Sequence, residues 1–157
     1  MVDVIGSKMV TYQVEEFSQC IPEVRLHLDE HYEELSVTKN GFPLDPDWDA
    51  YDRMEKQQAL KIVTCRKDGE LIGYIFFLLH YNLHYRTMLT AAEDIYYLKK
   101  SERKGRVGIK LFKFADDYLK SINVKRVILG TKVHLDNSRL FEYLGYTFFE
   151  KLHSKML

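Results

Sequence analysis

Residues 93–112 read Glu-Asp-Ile-Tyr-Tyr-Leu-Lys-Lys-Ser-Glu-Arg-Lys-Gly-Arg-Val-Gly-Ile-Lys-Leu-Phe, and this stretch decides how the rest of the chain is interpreted. The β-branched and aromatic residues of 93–98 predict a strand. The next segment, 99–106, has no apolar residue and carries five cations against one anion. Apolar residues then recur at spacings of three and four from Val107 to Ile122, which predicts a helix.

A helix that begins beside two glycines and a cluster of cations is typical of an anion site. The first N–H groups of a helix have no acceptor within the helix, and the positive end of its dipole lies there. Gly105 and Gly108 have no side chain to keep a large anion away from the main chain. We therefore interpret this stretch as a binding site for a diphosphate.

Composition narrows the class of protein. A length of 157 residues suits one domain with a sizeable core, spanning residues 1–157. The 23 basic and 23 acidic residues cancel, which argues against a general nucleic-acid binder. Cys20 and Cys65 show no paired spacing, which favours reduced thiols. The N-terminus resembles no signal peptide, and the longest apolar run, of about 8 residues, is far below the ~20 that span a membrane. We expect a soluble cytoplasmic protein without a membrane partner.

Periodicity and turn chemistry predict the remaining elements. The first half of the chain is expected to form a strand at 10–14, a helix at 15–35 broken near Pro22, a loop at 39–47, a helix at 48–59 capped by Asp47, and a hairpin of strands 60–65 and 71–79 around Asp68-Gly69. The second half adds a strand at 88–98, the helix at 107–122 ending at Asn123, a strand at 125–130, a short helix capped by Asp136 or Asn137 and ended by Gly145, and a strand at 147–152. Strand, helix and strand in one sheet imply a right-handed parallel crossover.

Three motifs resemble the GNAT superfamily of N-acetyltransferases. The turn Arg103-Lys104-Gly105-Arg106-Val107-Gly108 is similar to the family's Arg/Gln-x-x-Gly-x-Gly/Ala acetyl-CoA motif. The strand at 127–130 and the segment 140–146, which ends in Leu-Gly-Tyr, match the parts that follow it. The similarity covers roughly residues 60 to 155 and is closest to small members found in phages and prophages. It implies an α/β (α+β) fold with a mixed, mostly antiparallel sheet of six to seven strands and helices on both faces.

The resemblance implies an acyltransferase that moves an acetyl group from acetyl-CoA, its co-substrate, to a primary amine by direct attack in a ternary complex. The acceptor is a small molecule or a protein lysine or N-terminus, and a homodimer is left open. Two departures favour an alternative, a catalytically impaired binding module that acts on a host or phage protein. Arg106 replaces a motif glycine, and Phe141 stands where many members place the tyrosine that protonates the leaving thiolate.

The resemblance also implies which residues hold acetyl-CoA. Main-chain groups of a strand end are expected to pair with the pantetheine arm as an added strand would. The turn is expected to hold the diphosphate, and an asparagine after the next strand to contact the arm. In this chain the strand end comprises Tyr97, Leu98 and Lys99, the turn comprises Arg103, Lys104, Gly105, Arg106, Val107 and Gly108, and the asparagine is Asn137.

Candidate catalytic residues follow from the same alignment of motifs. Glu93 and Asp94 lie where many members place a carboxylate base, and as neighbours on a strand they face opposite sides of the sheet. We favour Asp94 and keep Glu93 second. His134 is a candidate proton carrier, because an ordinary histidine pKa suits that role. Tyr143 is a candidate acid.

The loop before the strand at 88–98 contributes two candidate residues on the acceptor side, His84 and Tyr85. Both combine a ring with a polar group in a segment rich in aromatic residues. His80 and His84 are spaced to face the same side of an extended segment, but no third ligand accompanies them. The sequence therefore predicts no metal site.

Overall fold

The computed structural model describes residues 1–5, 8–35, 43–155 and 157. The elements in chain order are β1 (Val2–Ile5), β2 (Lys8–Glu15), α1 (Phe17–Leu35), α2 (Trp48–Lys56), β3 (Leu60–Lys67), β4 (Glu70–Tyr81), β5 (Leu89–Leu98), a 3-10 turn (Lys100–Glu102), α3 (Val107–Ser121), β6 (Arg126–Ile128) and α4 (Ser138–Tyr143). The predicted loop at 39–47 lies partly outside the described residues. No helix within the described ranges is long and apolar enough to cross a lipid bilayer.

The described strands form one mixed sheet in the order β1-β2-β3-β4-β5-β6. All neighbouring strands are antiparallel except β5 and β6, which are parallel and joined through α3. This confirms the predicted α/β class with a mostly antiparallel sheet, at the lower end of the expected strand number. The sequence patterns did not predict β1, which pairs with β2 at the edge of the sheet.

The β3–β4 hairpin supplies the centre of the sheet. Asp68 and Gly69 both have positive φ, 51° and 88°, the geometry of the two-residue turn that matches strand twist. In β4 every residue from Leu71 to Phe77 is buried, because apolar layers cover both faces. One layer packs α3 and α4 against the sheet, and the other packs α1 and α2 against the opposite face. The sheet is thus held between helices on both sides, as predicted.

Helix α1 is continuous, which makes the predicted break near Pro22 wrong. A proline inside a helix removes one main-chain hydrogen bond. Phe17, Cys20 and Val24 lie on either side of Pro22 and are all buried against the sheet, so packing outweighs that loss. The main-chain N–H of Phe17 donates to the Glu55 carboxylate, which ties the start of α1 to α2.

The predicted last strand at 147–152 does not form. Phe148 and Leu152 are 74 % and 87 % exposed, and the guanidinium of Arg126 lies 4.5 Å from the centre of the Phe149 ring. Because β6 has only three residues, it offers a short template for a further strand. Of the aromatic residues that predicted a strand, Phe149 therefore lies beside Arg126 of β6 without strand pairing, and Phe148 is exposed.

Candidate active site

The strands β5 and β6 separate after a short contact. They pair only between Thr90–Ala92 and Arg126–Ile128, so the second edge of β5 has no strand partner from Glu93 to Leu98 within the described chain. Lys99 donates its main-chain N–H to Ile72 of β4, whereas the Leu98 carbonyl points away from β4 and accepts from Arg103 Nε at 2.8 Å. Since main-chain groups alternate along a strand, those of residues 96 and 98 face the open edge.

A β-bulge lies at this fork. Phe76 pairs with Ile95 and Phe77 pairs with Glu93, which leaves Asp94 as the extra residue on β5. The Glu93 carboxylate accepts the N–H of Gly130, just after β6, at 2.9 Å. The Asp94 carboxylate instead accepts the hydroxyl of Tyr51 on α2, at 2.5 Å. Glu93 therefore contacts the fork between β5 and β6, whereas Asp94 contacts α2.

The environment of Glu93 changes its acidity. Burial raises the pKa of the Glu93 carboxyl to about 7, and the nearby charge of Asp94 acts in the same direction. The hydrogen bond from Gly130 and the charge of Lys132 oppose this shift without cancelling it. A carboxylate that is half ionised near neutral pH is suited to accept and release a proton during a reaction.

The segment before α3 forms an open turn around its main chain. Gly105 has φ +104°, a conformation that favours glycine, and no atom lies within 4 Å of the position a Cβ would take. Arg106 begins α3 without a capping hydrogen bond from its side chain. A Cβ on Gly108 would lie 3.3 Å from the Tyr96 hydroxyl, so this glycine lets the start of α3 pack on β5. Among the described residues, no side-chain cap from Arg106 covers the first amides of α3, which lie next to β5.

The cations of this turn divide into two groups. Arg103 is engaged, because it donates to Leu98 and also pairs with Glu34 of α1 at 2.6 Å. Lys100 lies 3.1 Å from the same carboxylate. Lys104 and Arg106 are exposed and have no anionic partner in the described part of the chain. Within the predicted diphosphate turn, Lys104 and Arg106 are thus the cations that are available to an anion.

The loop after β6 crosses toward α1. His134 Nε2 lies 2.9 Å from the main-chain carbonyl of Glu34, at the end of α1. Asn137 is the first residue before α4, and its side chain makes no capping hydrogen bond. The cap is supplied by Asp136, whose Oδ1 accepts the Ser138 N–H at 2.8 Å. Glu34 therefore contacts the basic turn through its carboxylate and this loop through its main-chain carbonyl.

The short helix α4 presents different faces through its two aromatic residues. Phe141 is buried, with its ring centre 5.5 Å from that of Phe112 and 6.1 Å from that of Tyr146. Tyr143 lies two positions further on, which is about 200° around a helix, and its side chain is 68 % exposed. The Tyr146 hydroxyl donates to Asp116. Because Phe141 has no hydroxyl, the side chain at this position cannot donate a proton.

The structure does not bring His84 and Tyr85 to the basic turn. Their N–H groups donate to Asn82 Oδ1, at 2.9 and 3.2 Å, in the exposed loop before β5. That loop lies at the opposite end of β5 from the turn, about 17 Å along the strand from Asp94 at ~3.3 Å per residue. The described residues contain no group of three histidine, cysteine, aspartate or glutamate side chains placed to hold a metal ion.

The sequence patterns did not indicate the roles of three residues in this region. Glu34 binds Arg103 across 69 positions of the chain, and Tyr51 binds Asp94 across 43. Tyr96 places its hydroxyl against the start of α3. No local signal distinguishes these side chains from other glutamates or packing tyrosines, because their roles depend on which elements meet.

Comparison with known proteins agrees with this architecture. The model of the acetyltransferase (GNAT) family matches residues 23–146, so the chain belongs to this family. Acetyl-CoA is the co-substrate of the family. No curated protein matches the sequence significantly.

Solved structures share the fold at low sequence identity. A ribosomal-protein-alanine N-acetyltransferase from Brucella melitensis biovar Abortus 2308 is 15 % identical, with a TM-score of 0.70 over 94 % of this chain and 99 % of that one. An aminoglycoside acetyltransferase from an uncultured soil metagenomic sample, in complex with sisomicin, is 12 % identical, with a TM-score of 0.72 over 94 % and 95 %. A predicted acetyltransferase with acetyl-CoA from Clostridium acetobutylicum is 10 % identical, with a TM-score of 0.70 over 94 % and 96 %.

The residues present here fit the group that the family uses. The first amides of α3, beside Gly105 and two available cations, suit a diphosphate, and the open edge of β5 suits an arm that carries amides. Each of these features lies on one continuous path from α3 to the fork at Glu93.

Proposed function

We propose that this protein transfers the acetyl group of acetyl-CoA to a primary amine, by direct attack of the amine within a ternary complex. The observation that carries the proposal is the position of Glu93, a carboxyl with a pKa of about 7 at the fork between β5 and β6. The open edge of β5 leads from this fork to the uncapped start of α3. One extended ligand can therefore occupy both ends.

When bound, acetyl-CoA supplies a thioester: the amine nitrogen bonds to its carbonyl carbon, the C–S bond breaks, and the sulfur leaves with the electron pair. The chain contributes binding and orientation. Amides at Val107 and Gly108 hold the diphosphate together with Lys104 and Arg106. Main-chain groups on the open edge of β5, of which Leu98 is one, hold the arm.

Proton removal is the second contribution of the chain. A lysine-like amine has a pKa of about 10.4, so its neutral form costs about 4.6 kcal/mol at pH 7. We assign the base to Glu93, acting directly or through one water, because its raised pKa matches neutral pH. Asp94, with Tyr51, is assigned to orient the ammonium group of the acceptor, since both lie on the side of α2.

The proton for the departing sulfur has no assigned donor on α4 at Phe141. We assign it to solvent, because a thiol has a pKa of only about 8.5 and its thiolate leaves readily. Tyr143 and His134 stay candidates from the sequence, the first exposed on α4 and the second held at the end of α1.

The direct test is release of free thiol from acetyl-CoA in the presence of amines, with Glu93→Gln and Asp94→Asn as a matched pair. We expect Glu93→Gln to lower kcat by about 10²–10⁴-fold, the usual worth of a general base, with little change in acetyl-CoA affinity. The wild-type rate should rise with pH until about 7 and then level, as the Glu93 carboxyl ionises. A Glu93→Gln enzyme with the wild-type rate and pH profile would remove Glu93 from the mechanism.

The acceptor is sought with a panel built on the structural neighbours. Sisomicin represents aminoglycosides, a peptide that begins with alanine represents protein N-termini, and a lysine peptide and a polyamine complete the panel. Binding of acetyl-CoA without turnover of any amine favours the alternative, a GNAT-fold binding module, which the buried Phe141 also favours. The homodimer and the likeness to phage-encoded members stay predictions from the sequence.

A further inference from the structure

A cleft lies between the second half of α3, the strand β6 and the segment 144–149. Its volume is about 660 Å³, which is within the range of small-molecule binding sites. Two of its lining residues, Asp116 and Lys120, lie about 14 and 20 Å along α3 from Val107, at ~1.5 Å per residue. The cleft is therefore separate from the proposed diphosphate site, which is at the start of that helix.

The path of the chain after α4 leaves this space open. Gly145 turns the chain with φ +91°, and the Tyr146 hydroxyl then donates to Asp116 of α3. From Thr147 onward the chain forms no strand with β6. The apolar part of the lining consequently comes from α3, β6 and the connections that follow α3 and α4, and comprises Leu119, Val124, Val127 and Leu144.

The charged part of the lining is mostly cationic. Lys120, Lys125 and Arg126 line the cleft, and no carboxylate lies within salt-bridge distance of them in the described part of the chain. Asp116 is the only acid among the described lining residues, and its carboxylate accepts the Tyr146 hydroxyl. At neutral pH the lining therefore carries a net positive charge, which attracts an anion.

The three cations differ in what the fold asks of them. Lys120 lies in the last turn of α3, where the helix dipole favours a cation. Arg126 is half-buried, and its guanidinium lies 4.5 Å from the centre of the Phe149 ring, a contact that orients the guanidinium without neutralising it. A planar guanidinium binds a carboxylate or a phosphate through two parallel hydrogen bonds. Arg126, with Lys125 next to it, is thus the group best placed to hold an anionic head.

We propose that this cleft binds a small organic anion, in which a carboxylate or phosphate head is joined to a flat apolar body. The head pairs with Arg126 and Lys125. The body packs on Phe149, whose ring is 54 % exposed, and on the apolar wall. The proposal does not depend on the proposed function, because the cleft shares no residue with the path from α3 to Glu93.

Calorimetry with naphthalene probes tests the assignment. 1-Naphthyl phosphate and 1-naphthoate carry the two heads on one body, inorganic phosphate is a head alone, and 1-naphthylmethylamine gives the same body a positive charge. We expect at least one naphthyl anion to bind at a single site, at least tenfold more tightly than inorganic phosphate or the amine. A tenfold gain corresponds to burial of only about 60 Å² of apolar surface.

The naphthyl anion should bind equally well when coenzyme A is present in excess. Competition by coenzyme A would place the anion at the start of α3 instead of in the cleft. Equal affinity for inorganic phosphate would show attraction by charge alone, without a site for an apolar body. Either result, or the absence of saturable binding, overturns the proposal.

Arg126→Glu and Lys113→Glu form a matched pair. Both reverse one positive charge, but Lys113 is exposed on α3 and is not among the residues that line the cleft. We expect Arg126→Glu to weaken binding of the naphthyl anion about tenfold or more, and Lys113→Glu to change it less than twofold. Equal losses in the two variants would contradict a site at Arg126.

Nitrogen-15 NMR of the unaltered protein guards against variants that fold poorly. Addition of the naphthyl anion should shift the main-chain amides of Val127 and Tyr146 and leave those of Gly105 and Gly108 in place. Shifts confined to the two glycines would refute the proposal. Self-association of wild type that Arg126→Glu abolishes, without binding of either anion, would instead assign the cleft to a second copy of the chain.

Discussion

At the scale of single residues, two adjacent carboxylates on β5 have different hydrogen-bond partners. Glu93 and Asp94 have similar side chains and the same local sequence, yet one meets Gly130 and the other meets Tyr51. Alternation along β5 turns the two side chains to opposite faces of the sheet, and the bulge leaves Asp94 without a partner residue on β4. The carboxylate favoured from the sequence is consequently the exposed one, whereas the half-buried Glu93 has the raised pKa.

The ionised Glu93 carboxylate is expected to lower the free energy of unfolding near neutral pH, where the proposed reaction needs it as a base. Its pKa rises from 4.5 to about 7 on folding, so the folded chain holds more protons than the unfolded chain between those values. Stability is therefore expected to fall as pH rises from 4.5 to 7 and to stay level above. Glu93→Gln should be more stable than wild type above pH 7, by about 1–3 kcal/mol.

Thermal or urea unfolding of wild type, Glu93→Gln and Asp94→Asn at several pH values checks this expectation. Asp94→Asn is the control, because Asp94 is exposed and should change stability little. A Glu93→Gln advantage that is equal at pH 5 and pH 8 would mean that the Glu93 carboxyl does not titrate near 7.

At the scale of elements, the turn before α3 combines a glycine with positive φ, a helix start without a side-chain cap from Arg106, and two kinds of cation. Arg103 holds the turn to α1 through Glu34, so its charge serves the fold. Lys104 and Arg106 are exposed without anionic partners in the described residues, so their charge is available to a ligand. The strand–turn–helix pattern predicted the diphosphate site, but it did not distinguish these two groups of cations.

Removing the available cations should weaken binding without weakening the fold. We expect Lys104→Ala and Arg106→Ala each to reduce coenzyme A affinity about two- to fivefold, consistent with ~0.5–1 kcal/mol for an exposed charge pair. The effect should shrink at high salt, because screening reduces such attraction. Calorimetry at two ionic strengths measures both, and loss that does not depend on salt would contradict this account.

Gly105 tests the main chain of the same turn. Its φ of +104° is costly for a residue with a side chain, although there is space around it. Gly105→Ala is expected to lower stability by about 1 kcal/mol and to weaken coenzyme A binding, because relief of the strain moves the amides that follow. Unfolding curves and calorimetry report the two effects, and a Gly105→Ala protein with wild-type affinity would show that these amides do not hold the ligand.

At the scale of the whole molecule, ionic contacts tie α1 to the sheet. The Glu15 carboxylate at the end of β2 is buried and lies 2.6 Å from Arg66 Nε, and Arg66 also binds Glu23 of α1 at 2.7 Å. Burial alone would raise the pKa of Glu15, but hydrogen bonds from Arg66, Thr64 and Gln13 outweigh it and lower that pKa. This network ties α1 to the sheet, and α1 in turn carries Glu34 to the basic turn.

Breaking this network should be costly. Arg66→Met leaves the Glu15 charge buried and unpaired, and we expect a loss of about 3–5 kcal/mol in the free energy of unfolding. Glu15→Met/Arg66→Met removes both charges and should recover part of that loss. Because the Glu15 pKa is lowered on folding, its contribution is present above pH 4.5 and is lost as pH falls through the lowered value. Urea unfolding at pH 7 and pH 4 measures the free energy of unfolding of each variant. Equal stability of wild type and Arg66→Met at pH 7 would refute the predicted cost of the unpaired Glu15 charge.

Local patterns alone predicted much of this protein. The Asp68-Gly69 turn, the Asp47 cap, the helix from Val107 and the stop at Asn123 each depend on residues close in sequence, so the sequence by itself determined them. The GNAT fold followed from the resemblance of the motifs at 103–108, 127–130 and 140–146. Only the tertiary structure decided which carboxylate lies at the fork, that Glu34 engages Arg103, and that residues 147–152 form no strand. Those outcomes depend on strand register and on contacts between distant segments, which no local periodicity encodes.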